Sequence, residues 1–407
     1  MKTICFWLNH LGERGMCVSV YDYAHYNQTL LGNKSIILYN TNDLTNDNDV
    51  MCNFVENFET YGIDKDNIDE FAEYLKCDLL YILKHGQGDD LMNFKIPTAI
   101  HAVFEGSIPH GDAFAVISGD VNNAFDVPVV PHMIALPDHT EDMREELGIP
   151  KDALVMGRYG GYEQFNMPYT QHVVNSIAGN RHRGDIYFLF MNTQPFCEER
   201  HNIIHVGKTI DKHQKVKFIN TCDAMIWGRS GGETFGLSIG EFSSKNKPVF
   251  CADIGSRAHI NILGDKAKIY ENNGRLYHQL IEYIDNFQED KGKDWNAYTD
   301  FTPEKVMQQF KKVFLDFLDP VVEDEPSEKS DDKESIDDTG DDESYDSDSG
   351  DDEETEEAET DSDKDYDHKD ETQPPRSLVD VEEPYEAIEY RDDMIVTENG
   401  RIFVKKI

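Results

Sequence analysis

The sequence predicts an α/β protein of two consecutive doubly wound domains facing across a cleft, followed by an acidic, disordered segment. Three observations lead there. Short, nearly continuous apolar runs alternate with helical patterns over the first 318 residues, the texture of strands buried on both faces of a mostly parallel sheet. The alternation breaks between Asp126 and Pro150, where Pro128, Pro131, Pro137 and Pro150 crowd together; such a cluster marks a crossing between domains. From Val321 to Thr372 the chain then carries 27 Asp/Glu against four Lys, a net charge of −23 in 52 residues, with too little apolar content to offset ordering entropy.

Ile4–Leu8 reads as the first strand, Asn9–Gly15 as a polar loop and Met16–Tyr26 as a helix. Ser35–Tyr39, Asp78–Lys84, Thr98–Phe104 and Ala113–Ser118 supply further strands of an N-terminal domain, residues 1–136. A linker over 137–152 holds a short charged helix, Glu141–Leu147. The C-terminal domain, 153–318, has strands at Leu154–Gly157, Ile186–Met191, Ile203–Val206, Ala224–Trp227, Val249–Ala252 and Ala267–Tyr270, with helices at Tyr169–Ile177 and Leu276–Phe287. Pro303–Leu318 is a last amphipathic helix with Val306, Phe310, Val313, Phe314 and Phe317 on one face. The acidic segment spans 319–378. In the short C-terminal segment, 379–407, Met394–Glu398 and Arg401–Lys405 flank an Asn399-Gly400 turn, the pattern of a hairpin. A lone hairpin is marginal in water, so it docks on the body, pairs with a partner or stays unfolded.

The formal net charge of −42 and the lack of a basic stripe argue against nucleic acid. The acidic segment suits basic proteins as partners. Seven cysteines, an odd number with no C-x-x-C pair, point to reduced thiols in the cytosol. The opening run Met1–Leu8 is too short for a signal sequence, and no apolar run reaches the ~20 residues of a membrane span.

The stretch GRSGGETFGLSIGEF, Gly228–Phe242, carries the chemistry. Phe235, Ile239 and Phe242 recur at i, i+4 and i+7, so a helix begins near Thr234, its expected N-cap, and ends before Pro248. Glu233 then sits just outside the helix start and Glu241 about two turns in. The first amides, at Phe235, Gly236 and Leu237, lack intrahelical partners, and Gly236 leaves room for a ligand. Such a terminus suits a phosphate, and the paired carboxylates suit the hydroxyls of a sugar and a ribose.

Glu233 and Glu241 with TFGLSIG between them resemble the E-x7-E signature of retaining glycosyltransferases of the GT-B fold, family 4. LGIPKDALVMGRYGG, Leu147–Gly161, resembles the start of that family's second domain. VYDYAHYN, FLFMNTQPF and CDAMIWGRSGGETFGLSIGEFS are similar to glycosyltransferase sequences of large DNA viruses and some bacteria. The similarity covers roughly residues 1–318. It implies two Rossmann-like domains, a nucleotide-diphosphate sugar donor bound mainly by the second, and a glycan, protein or small-molecule acceptor at the first. Transfer would be hexosyltransferase-like. By the same resemblance Glu233 adjoins the donor sugar and Glu241 holds ribose hydroxyls. Arg158, with Gly160 and Gly161, contacts the diphosphate. Thr234, Phe235, Gly236 and Leu237 meet phosphate or sugar, the Gly12–Gly15 loop closes over the diphosphate, and His110 is the cleft histidine near the transferred sugar. Glu163 departs from the pattern, since the family usually has a lysine there; Lys84 or Arg229 is the candidate substitute cation.

Plainer roles stand beside these. Glu233 and Glu241 could be solvated helix-edge carboxylates, Arg158 half of a surface ion pair, and His101, His110 and His132 structural. No H-E-x-x-H is present, and the chemistry needs neither metal nor cofactor. The GERG loop is not G-x-G-x-x-G, which lowers the odds of a nicotinamide enzyme. The competing functions are an inactive sugar-nucleotide-binding adaptor working through the acidic tail and a GT-B sugar-nucleotide epimerase.

Overall fold

The apolar runs become the cores of two sheets. The computed structural model describes residues 1–319, except 90, 92, 93, 122–125, 181, 183, 184 and 199, together with 394–396 and 402–404. The acidic segment and the Asn399-Gly400 turn lie outside the described residues. In the first lobe β1 (Thr3–Leu8), β2 (Lys34–Asn40), β3 (Glu59–Ile63), β4 (Leu79–Lys84), β5 (Thr98–Ala102) and β6 (Ala113–Val116) run parallel in the order β3-β2-β1-β4-β5-β6. The second lobe has β7 (Leu154–Tyr159), β8 (Ile186–Met191), β9 (Ile203–Val206), β10 (Ala224–Ile226), β12 (Val249–Ala252) and β14 (Ala267–Tyr270), ordered β14-β12-β10-β7-β8-β9. Counted from its own first strand, each sheet has the same doubly wound order, 3-2-1-4-5-6. A separate parallel pair joins β11 (Gly232–Glu233) to β13 (Ser256–Arg257).

Burial explains why these runs pair. Every residue of β4, β5, β7 and β8 is buried, as expected of strands covered by helices on both faces. Within β7, a Cβ at Gly157 would stand 2.2 Å from Cys222 Sγ, so this strand needs a residue without a side chain. The strand Glu59–Ile63 escaped the sequence reading because its Glu and Gly interrupt the apolar pattern.

Four expectations change. Met143–Gly148 forms turns, not a helix over Glu141–Leu147. Pro303–Phe310 is helical, but Lys311–Leu315 widens into a π turn and Asp316–Leu318 tightens to a 3-10 turn. The register shift leaves Phe317 42% exposed while Val306, Phe310 and Phe314 are buried. This segment also packs on the first lobe, not the second, with Phe310 against Tyr23 and Tyr81, and Phe314 against Tyr81 and His101; periodicity identifies an apolar face but not which sheet it covers. Finally, Cys5 and Cys77 are disulfide-bonded, their Cα atoms 6.1 Å apart, so the cysteines are not all reduced. The parallel neighbours β1 and β4 bring these two residues, 72 apart in sequence, side by side.

The C-terminal hairpin docks on the body. β15 (Met394–Val396) pairs antiparallel with β16 (Ile402–Val404), and β16 pairs antiparallel with β3 at Val404 and Gly62. It thereby covers an open sheet edge. No helix among the described residues is long and apolar enough to cross a membrane.

Two histidines lie deep between the β5 region and the C-terminal helical segment. Tyr81 donates its hydroxyl proton to His101 Nδ1 at 2.6 Å, and His101 Nε2–H donates to the Val130 carbonyl at 2.7 Å, which fixes a neutral tautomer. Burial pushes His101 well below the ordinary 6.5 and His132 down to about 3. Below pH 6.5 the unfolded chain therefore binds more protons than the folded one. Their contribution to stability is complete above that pH and is lost as pH falls toward the folded values. Urea midpoints measured from pH 7.5 to 4.5 should fall, by up to about 1.4 kcal/mol per pH unit for each histidine; a flat profile would show that both rings protonate inside the fold.

Candidate active site between the lobes

The second sheet reverses its winding between β7 and β10, and the loops leaving their carboxyl ends, Gly160–Gln164 and Gly228–Glu233, flank the crevice where such folds bind ligands. The helix that follows begins later than its pattern suggests. It spans Leu237–Ser244, and its N-cap is Gly236, not Thr234. Gly236 sits at φ 84°, ψ 64°, a left-handed conformation that glycine adopts without strain. Its hypothetical Cβ would also stand 3.1 Å from His259 Cβ. The start has no side-chain cap; the first intrahelical bond closes from Gly240 N–H to the Gly236 carbonyl at 2.9 Å. The orphan donors are therefore the amides of Leu237, Ser238 and Ile239. Phe235 is core: its ring packs on His132, Tyr298 and Phe301, and its carbonyl accepts from the Tyr298 hydroxyl.

Neither glutamate is a freely solvated edge carboxylate: Glu233 is half-buried and Glu241 buried. Glu233, on β11, accepts from the Trp227 indole N–H at 3.2 Å and from Arg229 at 2.9 Å. His259 packs against that indole, with ring centroids 4.6 Å apart. Glu241 lies one turn into the helix, not two, and is 6% exposed. It accepts from the Tyr159 hydroxyl and faces Lys215 Nζ at 3.8 Å. Burial and the Glu241 charge raise the Tyr159 pKa well above its usual value, so the phenol stays a donor.

Arg158 ends β7 inside the lobe, 3% exposed. Its guanidinium donates to Thr193 Oγ1 at 2.6 Å, to the Asn192 carbonyl at 3.4 Å and to the Gly161 carbonyl at 3.1 Å. Its hydrogen-bond partners are thus neutral. Burial lowers its pKa to about 10, with the nearby Glu233 opposing that fall and Arg229 adding to it. It is no surface ion pair. A buried cation with neutral acceptors favours an added anion. Glu163 is exposed on the turn closed by Gln164 N–H to the Gly161 carbonyl, 3.0 Å.

The first lobe reaches this site through the loop after β1. A Cβ on Gly15 would lie 3.2 Å from Leu237 Cδ1, the first residue of the site helix. Gly12 N–H donates to Cys17 Sγ. Between these glycines, Glu13 accepts from Asn192 Nδ2 at 3.4 Å and pairs with Lys208 at 2.7 Å. Asn192 also donates to the Gly160 carbonyl at 2.9 Å, and it holds φ 46°, a strained conformation for a residue with a side chain.

Two candidates fall outside the group. The segment after β5 folds back, so that Asp112 N–H donates to the Thr98 carbonyl and its carboxylate accepts from Thr98 N–H, both at 2.8 Å. The chain is thus back at the amino end of β5 by Asp112, two residues after His110, whereas the carboxyl ends face the second lobe. Its Nδ1–H donates to the Ile108 carbonyl, and its Nε2 accepts from Lys84 at 3.2 Å. Lys84 is buried and also held by Asp89. Among the described residues neither makes a hydrogen bond or ion pair to the second lobe, although Lys84 ends β4 at its carboxyl side. Arg229 is committed to Glu233.

Lys208, Lys212 and Lys215 were missed. Two of them cross the lobe interface, Lys208 to Glu13 and Asp47 and Lys212 to Asp22 at 2.5 Å, while Lys215 faces Glu241 within the second lobe. Their signal was three lysines in eight residues of a strongly acidic chain.

No family model and no curated protein matches this chain. Solved structures do. HepE of Anabaena, solved with UDP-glucose, superposes with a TM-score of 0.58 at 12% identity, over 77% of this chain and 99% of its own. A glycosyltransferase from Rickettsia africae gives 0.58 at 13%, over 77% and 97%. Sucrose-phosphate synthase from Thermosynechococcus elongatus gives 0.54 at 13%, over 77% and 98%. At such identity the likeness concerns the fold, and the fold is GT-B.

Proposed function

We propose that the chain is a glycosyltransferase that moves a sugar, with retained configuration and in the manner of family 4, from a nucleotide-diphosphate donor to an acceptor. The observation that carries this is the uncapped helix start at Gly236–Leu237. It is bracketed by Glu233 and Glu241 and faced across the lobes by the Gly12–Gly15 loop. A diphosphate placed there meets the amides of Leu237 and Ser238 and the positive end of the helix dipole. Arg158, behind Gly160 and Gly161, adds a cation in a low-dielectric setting, so leaving-group charge is stabilised by preorganised groups. Glu233, oriented by Trp227 and Arg229, accepts from the sugar hydroxyls. Glu241 uses one of roughly four carboxylate acceptor positions on Tyr159, pairs with the Lys215 charge at 3.8 Å, and keeps the other positions for a ribose diol. The HepE complex holds UDP-glucose in the same fold, which makes a uridine donor the first to try.

A thermal-shift screen of the full chain against nucleotide sugars should show one that raises the melting temperature, and calorimetry should then show its affinity reduced about tenfold or more in Glu233→Gln. A panel without a stabilising member would overturn the proposal. Conversion of the nucleotide sugar with no acceptor present would instead identify an epimerase.

Glu241→Ala should also destabilise the apo protein. It leaves the buried Lys215 with only the more distant Asp22 to offset its charge and removes the acceptor of the Tyr159 hydroxyl, at a cost of about 3 kcal/mol in urea unfolding. Glu241→Gln keeps an acceptor for Tyr159 and should cost roughly 1 kcal/mol. Equal stability of Glu241→Ala and wild type would exclude this buried cluster as a structural tie.

A further inference from the structure

A second constellation lies away from the site, where the crossing between lobes passes over the helix Lys212–Thr221. His139 and Glu141 come from the crossing and His213 from the first turn of that helix. One ligand-type atom from each lies within 4.8 Å of the other two. The imidazoles of His139 and His213 stack with centroids 3.8 Å apart, and His213 Nε2 is 3.6 Å from Glu141 Oε1.

The hydrogen bonds of His139 give this cluster its meaning. Its Nε2 lies 3.0 Å from the His213 backbone carbonyl. A carbonyl only accepts, so Nε2 carries the proton and Nδ1 presents a bare lone pair. That Nδ1 is buried and has no hydrogen-bond partner among the described residues. A histidine that gives one N–H to a backbone carbonyl has its other nitrogen fixed as a bare acceptor, the state a metal ligand requires. An unpaired buried acceptor otherwise costs about 1–3 kcal/mol.

The backbone around the cluster is also held. Asn220 Nδ2 donates to the carbonyls of His139 and Glu141, at 2.8 and 2.9 Å. The Asp211 carboxylate caps the helix by accepting from His213 N–H at 2.8 Å. The same helix thus supplies one ligand and fixes the chain that supplies the other two.

We propose that His139, Glu141 and His213 bind a divalent transition metal of the zinc class. Two imidazoles and a carboxylate suit such an ion, and tetrahedral ligands at its usual bond lengths stand about 3.4 Å apart. A ring nitrogen binds a metal in the plane of its ring, so His213 must turn out of its stack on His139; with side chains 45% and 62% exposed, His213 and Glu141 are free to rotate onto the ion, and a fourth position is left for water. The bound ion ties the crossing to the helix that carries Lys212 and Lys215, the lysines facing Asp22 and Glu241.

Titration of the full chain with Co2+ tests this by visible absorption. The wild type should take up one equivalent with the intense bands of a tetrahedral site, and Zn2+ should displace it. His139→Ala and His213→Ala should lose the bands, and Glu141→Gln should weaken binding about tenfold or more. Carboxylates of the acidic segment hold Co2+ in weakly absorbing octahedral form and do not mimic the signal. All three side chains are at least partly exposed. Unchanged melting of the metal-free variants would separate ligand loss from misfolding, and if one variant does not fold the other two decide. No tetrahedral band in the wild type, or a band that survives in the His139→Ala/His213→Ala double variant, would overturn the proposal.

Discussion

The constraint on which the site depends is charge pairing across the lobes. Acids of the first lobe, Glu13, Asp22 and Asp47, meet Lys208 and Lys212 of the second. Asp22 is 3% exposed, and burial raises its pKa against the opposing pull of Lys212. Such a pair gains little net stability once desolvation is counted. It does set register: an acid in the middle of the helix Gly15–Thr29 is matched to one lysine, and with it the start of that helix is set against Leu237. Shift this helix by a turn and the contact between the Gly12–Gly15 loop and the site helix is lost.

The lysines tie the same register to Glu241. Lys212 and Lys215 stand on one helix, the first facing Asp22 and the second Glu241, and Glu241 in turn holds Tyr159 at the end of β7. The carboxyl end of the central strand, the site helix and the first lobe thus share one connected set of charges. Networks of this kind lock geometry because each member left unpaired is costly in a low dielectric.

Much of the fold was legible because burial on both faces writes long apolar runs, as in β4, β7 and β8. The strand Glu59–Ile63 was not, since Glu59 and Gly62 break its run, and neither were the two-residue strands at Glu233 and Arg257, which are too short to leave a pattern. Within the candidate site, Glu233, Glu241 and Arg158 stand out in the sequence because carboxylates and a cation among apolar and glycine residues are conspicuous. The helix start was misjudged by two residues: the sequence offers Thr234 as a cap, but Gly236 takes the left-handed conformation, which no side-chain preference announces. For His110 the sequence hid the topology. The loop after β5 doubles back, and sequence order does not reveal that. The cluster of His139, Glu141 and His213 was invisible for the same reason, its members being brought together only by the crossing.

The acidic residue at position 163 illustrates why place outweighs type. Beside a phosphate, Glu163 would repel. It stands on an exposed turn, however, where water and salt screen its field within about 10 Å, whereas Arg158 is buried at the end of β7. At equal distance a charge acting through protein interior, with an effective dielectric near 20, exerts roughly four times the influence of one acting through water. The net field at the start of the site helix is therefore set by Arg158, the free amides and the helix dipole, with Glu233 partly neutralised by Arg229. An exposed acid on that turn therefore weighs less at the start of the site helix than the buried Arg158 does.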